Sequence, residues 1–204
     1  MPIAHQHKCI FVHIPKTGGT SIEKALGIKR WDSNILRSRR QRKIKNVLYA
    51  PQHFTCKMLE NHPITKPHWK TYFKFAIVRH PYTKVLSEYF WIKKLKKGKG
   101  TGFQLNNFRK WLKGSCSLMK RDHTLKQSSF IYKGETLMVD YVGKFERLPE
   151  EFSFLKKKIN IIGTLPHIHP SRRTNDTLSL LTQEDKNFIY KLYEEDFDKF
   201  KYIK

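Results

Sequence analysis

Apolar positions along the chain follow two spacings. Residues 9–14 (CIFVHI) and 72–79 (YFKFAIVR) are nearly continuous in β-branched and aromatic side chains. Runs of that kind predict strands covered on both faces, as in a parallel sheet. Each run then gives way to helical spacing, after PKTGGTS in the first case and after RHP in the second. In the second, Val85, Leu86, Tyr89, Phe90 and Ile92 form the apolar face, Pro81 suits the first turn and Gly98 the end. Residues 137–143 (LMVDYVG) predict a third core strand, and residues 47–49 a short one ending at Pro51. Further helices are expected over 105–112, over 148–159 with Phe152, Leu155 and Ile159 inward, and after Thr182, where Asp185 completes a cap. Strands alternating with helices predict an α/β fold: a central parallel sheet flanked by helices in three layers, within one domain spanning residues 1–204.

Composition narrows the partners. With 41 Lys and Arg against 17 Asp and Glu, the 204 residues carry a formal charge of +24. Such a balance favours polyanions, whether acidic glycan, nucleotide, nucleic acid or membrane surface. Part of it lies in residues 29–45, where Arg37, Arg39, Arg40, Arg42, Lys43 and Lys45 predict a solvated run or a rim for an acidic acceptor. No stretch is apolar for long enough to span a bilayer, so a cytoplasmic protein, bacterial, phage or similar, is expected unless a membrane anchor has been removed. Cys9, Cys56 and Cys116 lack metal-ligand spacing and are expected as free thiols. His5 and His7 sit in what reads as a frayed polar terminus.

The chemistry concentrates at the two strand ends. Lys16, Thr17, Gly18, Gly19, Thr20 and Ser21 follow the first strand directly. Paired glycines permit a tight turn and close approach to an anion, and the next helix aims its positive end there. The layout is that of a Walker A loop, but Lys16 precedes the glycines instead of following them. On residues alone, a turn whose glycines serve only geometry is also open. The order Pro-Lys-Thr-Gly-Gly-Thr-Ser resembles the 5′-phosphosulfate loop of sulfotransferases, in the branch of the carbohydrate enzymes and their bacterial relatives. Their donor is 3′-phosphoadenosine 5′-phosphosulfate (PAPS), leaving adenosine 3′,5′-bisphosphate after transfer. Arg79, Pro81, Lys84, Ser87 and Tyr89 are similar to the family's 3′-phosphate motif. Arg79 supplies a planar fork of donors and Ser87 a hydroxyl.

The same resemblance implies an acceptor side. His53, Thr55 and Leu59 match a segment that follows the donor loop, and His123 with Gln127 match another near the acceptor. His53 is then the expected proton acceptor and His123 its rival; read alone, His53 could equally cap the next helix. Val142 to Glu146 resembles a family motif near the nucleotide, where Phe145 either stacks on adenine or packs in the core. Arg172 and Arg173 in a proline-bounded loop are candidate polyanion contacts. Lys16 and the loop amides are expected to supply the positive charge, with no metal. Together these imply sulfuryl transfer to a hydroxyl or amine of an acceptor, a saccharide by the resemblance. A P-loop kinase of nucleotides or small molecules and a non-catalytic polyanion-binding protein are the alternatives.

Overall fold

The architecture comes from a computed structural model, which describes residues 3–28, 42–44, 46–95, 105–166 and 178–204. Its centre is a four-stranded sheet of β1 (Ile3–Ala4), β2 (Cys9–Val12), β5 (Phe73–Val78) and β8 (Tyr141–Lys144), in the order β1-β2-β5-β8. β2, β5 and β8 run parallel, with Phe11 beside Phe75 and Val78 beside Lys144; β1 is antiparallel on the edge. The unbroken apolar runs are explained by burial on both faces. Cys9, Phe11, Phe75 and Ile77 face Ile22 of α1 (Gly19–Ala25), Leu26 just after it, and Phe152 and Leu155 of α6 (Leu148–Lys158). Ile10, Val12, Ala76 and Val78 face α2 (Cys56–Glu60) and α5 (Ser128–Ile131). A third cluster joins α3 (Pro81–Leu95), α4 (Leu105–Trp111) and α7 (Gln183–Phe200) through Leu86, Tyr89, Phe108, Ile189, Tyr193 and Phe197. Each cluster holds one buried free cysteine: Cys56, Cys9 and Cys116.

The expected α/β architecture with a parallel-dominated sheet and flanking helices is present, and Thr182 and Asp185 form the anticipated capping box of α7. Two local expectations need correction, and a third is met in an unexpected place. Residues 137–143 are not one strand. Leu137 belongs to a hairpin of β6 (Tyr132–Lys133) and β7 (Thr136–Leu137), while Asp140 turns the chain by bonding both backbone polar groups of Lys74. Residues 47–49 do form a strand, β4 (Val47–Tyr49), but it pairs with β3 (Arg42–Ile44) outside the central sheet. The segment holding His5 and His7 is not frayed: β1 before it pairs with β2, and His7 bonds the carbonyl of Ile159. Among the described residues no helix is long and apolar enough to cross a membrane.

Candidate functional site

The loop between β2 and α1 is shaped by two consecutive demands on the backbone. Lys16 stands at φ 69° and Gly18 at φ 80°, both in the left-handed region, which costs a residue with a Cβ about 1–2 kcal/mol. Thr17 turns its hydroxyl inward to the carbonyl of Ile14 at 2.8 Å, leaving its amide to the loop. Gly19 has no room for a side chain, because a Cβ there would stand 2.2 Å from the His13 ring. Among the described residues the amides of Thr17, Gly18 and Gly19 have no protein acceptor, the condition an anion site requires. Thr20 and Ser21 are half-buried on the first turn of α1. The Lys16 ammonium lies 4.6 Å from the centre of the Trp91 ring. Burial pulls its pKa down to about 8, against the charge of Glu88.

At the end of β5, Arg79 is buried and held through its backbone, its Nε and one of its two terminal amines. Gln127 clamps its peptide groups, accepting from the Arg79 N–H at 2.8 Å and donating to its carbonyl at 2.7 Å. Nε donates to Thr83 at 3.0 Å, and the guanidinium lies 4.3 Å from the centre of the Phe145 ring. Nη1 donates to the Lys16 carbonyl at 3.2 Å, so the two strand ends meet. Burial lowers the Arg79 pKa to about 10, which leaves the group cationic at neutral pH. Ser87 is half-buried on α3, two turns beyond. Lys84 is buried, and its ammonium donates to the carbonyls of His123 and Leu125 at 3.1 and 3.2 Å.

Beside the Lys16 loop stand three histidines in edge contact, His13 on His53 and His53 on His123, each pair with centroids 4.9 Å apart. Every one gives its Nδ1–H to a carboxylate: His13 to Glu23 at 2.7 Å, His53 to Asp122 at 2.8 Å and His123 to Glu88 at 2.7 Å. That bond fixes the tautomer and leaves each Nε2 as the basic atom. Burial drives the His53 pKa down to about 4, its bond to Asp122 opposing, so the ring is neutral at pH 7. Burial would raise the Asp122 pKa, but the bond and charge of His53 hold it below the usual carboxylate value. His123 opens further to solvent, with 25% of its side chain exposed against 4% for His53. One donor atom from each of His53, Asp122 and His123 falls within 4.8 Å of the others, a proximity invisible in sequence spacing.

The structure thus gathers Lys16, the loop to Ser21, Arg79, His53 and His123 around one region. Gln127 is there, but its amide is taken up by Arg79; Phe145 lies between Arg79 and Gly18, touching both. Helix α2 takes its cap from Thr55, which accepts from the Met58 amide, so His53 is not the cap. Arg172 and Arg173, and Arg37, Arg39, Arg40 and Lys45 of the basic run, lie outside the described residues. Sequence reasoning passed over His13, Glu23, Glu88 and Asp122. Only His13 left a trace, as one polar position inside an apolar run.

A family model described as the sulfotransferase family matches residues 1–203. No curated protein and no solved structure matches the chain.

Proposed function

The chain belongs to the sulfotransferase family, and from that premise we propose that it moves the sulfuryl group of PAPS to a hydroxyl of a saccharide. The observation that supports this reading most is the hydrogen bond from Arg79 to the Lys16 carbonyl, since a donor phosphorylated at both ends needs both strand ends at one cavity. In the proposed reaction the acceptor oxygen forms a bond to sulfur as the bond from sulfur to the bridging oxygen breaks. The electron pair passes to the 5′-phosphate, and the acceptor proton passes to an imidazole. Lys16 and the amides of Thr17, Gly18 and Gly19 face the charge that grows on the departing phosphate, so they favour the transition state over the ground state. Arg79 and Ser87 take the 3′-phosphate. Phe145 is the apolar neighbour of the nucleotide.

The proton goes to the imidazole pair, with His123 at the opening and His53 behind it in edge contact. Each presents a basic Nε2 because a carboxylate holds its other nitrogen. The loop amides and Lys16 supply positive charge without calling on a metal. The charge of +24 favours an acceptor that is already acidic. Three buried cysteines, none in a disulfide, favour a reducing, cytoplasmic setting, and one catalytic domain over the whole chain completes the proposal.

Transfer of label from PAPS across a glycan array tests the reaction and names the acceptor. Calorimetry should find tight binding of adenosine 3′,5′-bisphosphate and weaker binding of ATP with magnesium; the reverse order would return a kinase, and heparin binding alone a polyanion-binding protein. Replacing His123 and His53 in turn by Gln should lower kcat most at the residue that takes the proton.

A further inference from the structure

The hydrogen bond between the two strand ends does more than bring them together. Lys16 holds a left-handed backbone conformation that its side chain does not favour, so something must keep it there. Its carbonyl is fixed by Arg79 Nη1 at 3.2 Å. Arg79 is in turn immobilised by Gln127 on its peptide groups, by Thr83 on Nε and by Phe145 under its plane. Thr83 is itself anchored, donating to the His80 carbonyl at 3.0 Å. A side chain needed only to attract a phosphate could stand free in solvent; this one is 4% exposed and spans two loops. Its second amine, Nη2, makes no hydrogen bond among the described residues and is the one left for an anion.

We infer that Arg79 is a positioning residue for Lys16, so that the guanidinium which grips the far phosphate of the nucleotide also sets the loop that receives the near one. This rests on the functional reading above and adds a coupling to it. The two ends of the donor are bound cooperatively because one planar, rigid group carries both contacts.

Adenosine 5′-monophosphate tests the coupling, because it occupies the Lys16 end and has nothing to offer the far end. Its affinity and that of adenosine 3′,5′-bisphosphate are measured by calorimetry on the full chain, with a thermal melt of each variant as the folding control. Arg79→Ala should weaken the bisphosphate strongly and also weaken the 5′-monophosphate about tenfold. Thr83→Val keeps the charge but frees the guanidinium. It should weaken the 5′-monophosphate several-fold, a loss that missing charge cannot explain. Arg79→Lys keeps a cation for the far phosphate but cannot make both contacts, so it should retain part of the preference for the bisphosphate while losing affinity for the 5′-monophosphate.

The inference is overturned if Arg79→Ala leaves 5′-monophosphate affinity unchanged while bisphosphate affinity drops, which is the signature of a simple grip. It is equally overturned if Arg79→Ala lowers 5′-monophosphate affinity and Thr83→Val, folded as stably as the parent, does not, which is the signature of charge alone. In both cases the functional reading survives. Failure of the unaltered protein to bind either nucleotide would sink both.

Discussion

Two strand ends of the same sheet do related work by opposite means. After β2 the chain offers its backbone: two left-handed residues, a glycine pressed against an imidazole, and amides with no described protein acceptor. After β5 it offers side chains, with Arg79 nearly buried at the strand end and Thr83, Lys84 and Glu88 nearly buried along the 15-residue helix that follows. A backbone site is defined by conformation, so it tolerates little change in residue size. A side-chain site is defined by which atoms reach in, and its contributions are more separable. The first suits charge that appears only during reaction, the second the steady charge of a phosphate that does not react.

The largest effect that would break this contrast is expected at Lys16. Lys16→Ala should lower kcat for label transfer from PAPS by about 100- to 1,000-fold or more, as removing one preorganised donor to a developing anion does elsewhere. A loss of only a few-fold would move the chemistry away from this loop. Gly19→Ala comes next. The added methyl meets His13 at 2.2 Å, so the loop or the ring must shift, at a cost of about 1–3 kcal/mol in a denaturant melt and most of the nucleotide affinity. Unchanged stability and affinity would show the close approach to be dispensable.

The pH profile sharpens the comparison further. Burial lowers the Lys16 pKa to about 8, and the proposed reaction uses the charged form, so kcat/KM for the donor should fall as pH rises through about 8. Arg79, lowered only to about 10, stays cationic across that limb, so bisphosphate binding in Lys16→Ala should lose the inflection near 8. The smallest effect is expected at Ser87. Ser87→Ala removes one hydroxyl, and bisphosphate affinity should fall no more than about tenfold, the range of a single hydrogen bond.

Legibility followed the distance over which each feature is decided. The Lys16 loop and the start of α3 could be read because turn chemistry and helix spacing are local. The phosphate role proposed for Arg79 was local enough to read, but its bond to the Lys16 carbonyl was not, since that partner lies 63 positions away. The carboxylates of the histidine row were illegible for the same reason: Asp122 reaches His53 across 69 positions, and Glu88 reaches His123 across 35. Residues 137–143 misled because apolar content does not record where a carboxylate such as Asp140 will reverse the chain. The described β3–β4 hairpin shows the other limit, that a strand can be identified without saying which sheet receives it.

The distribution of sulfur has its own consequence. One thiol sits in each of the three apolar clusters, and burial pushes all three toward the unreactive protonated form, Cys9 up to about 12. Alkylating reagents will therefore find each cysteine only when its own cluster breathes. The molecule carries three internal clocks, one beneath each face of the sheet and one in the helical layer, and their separate rates would time which part of the fold loosens first.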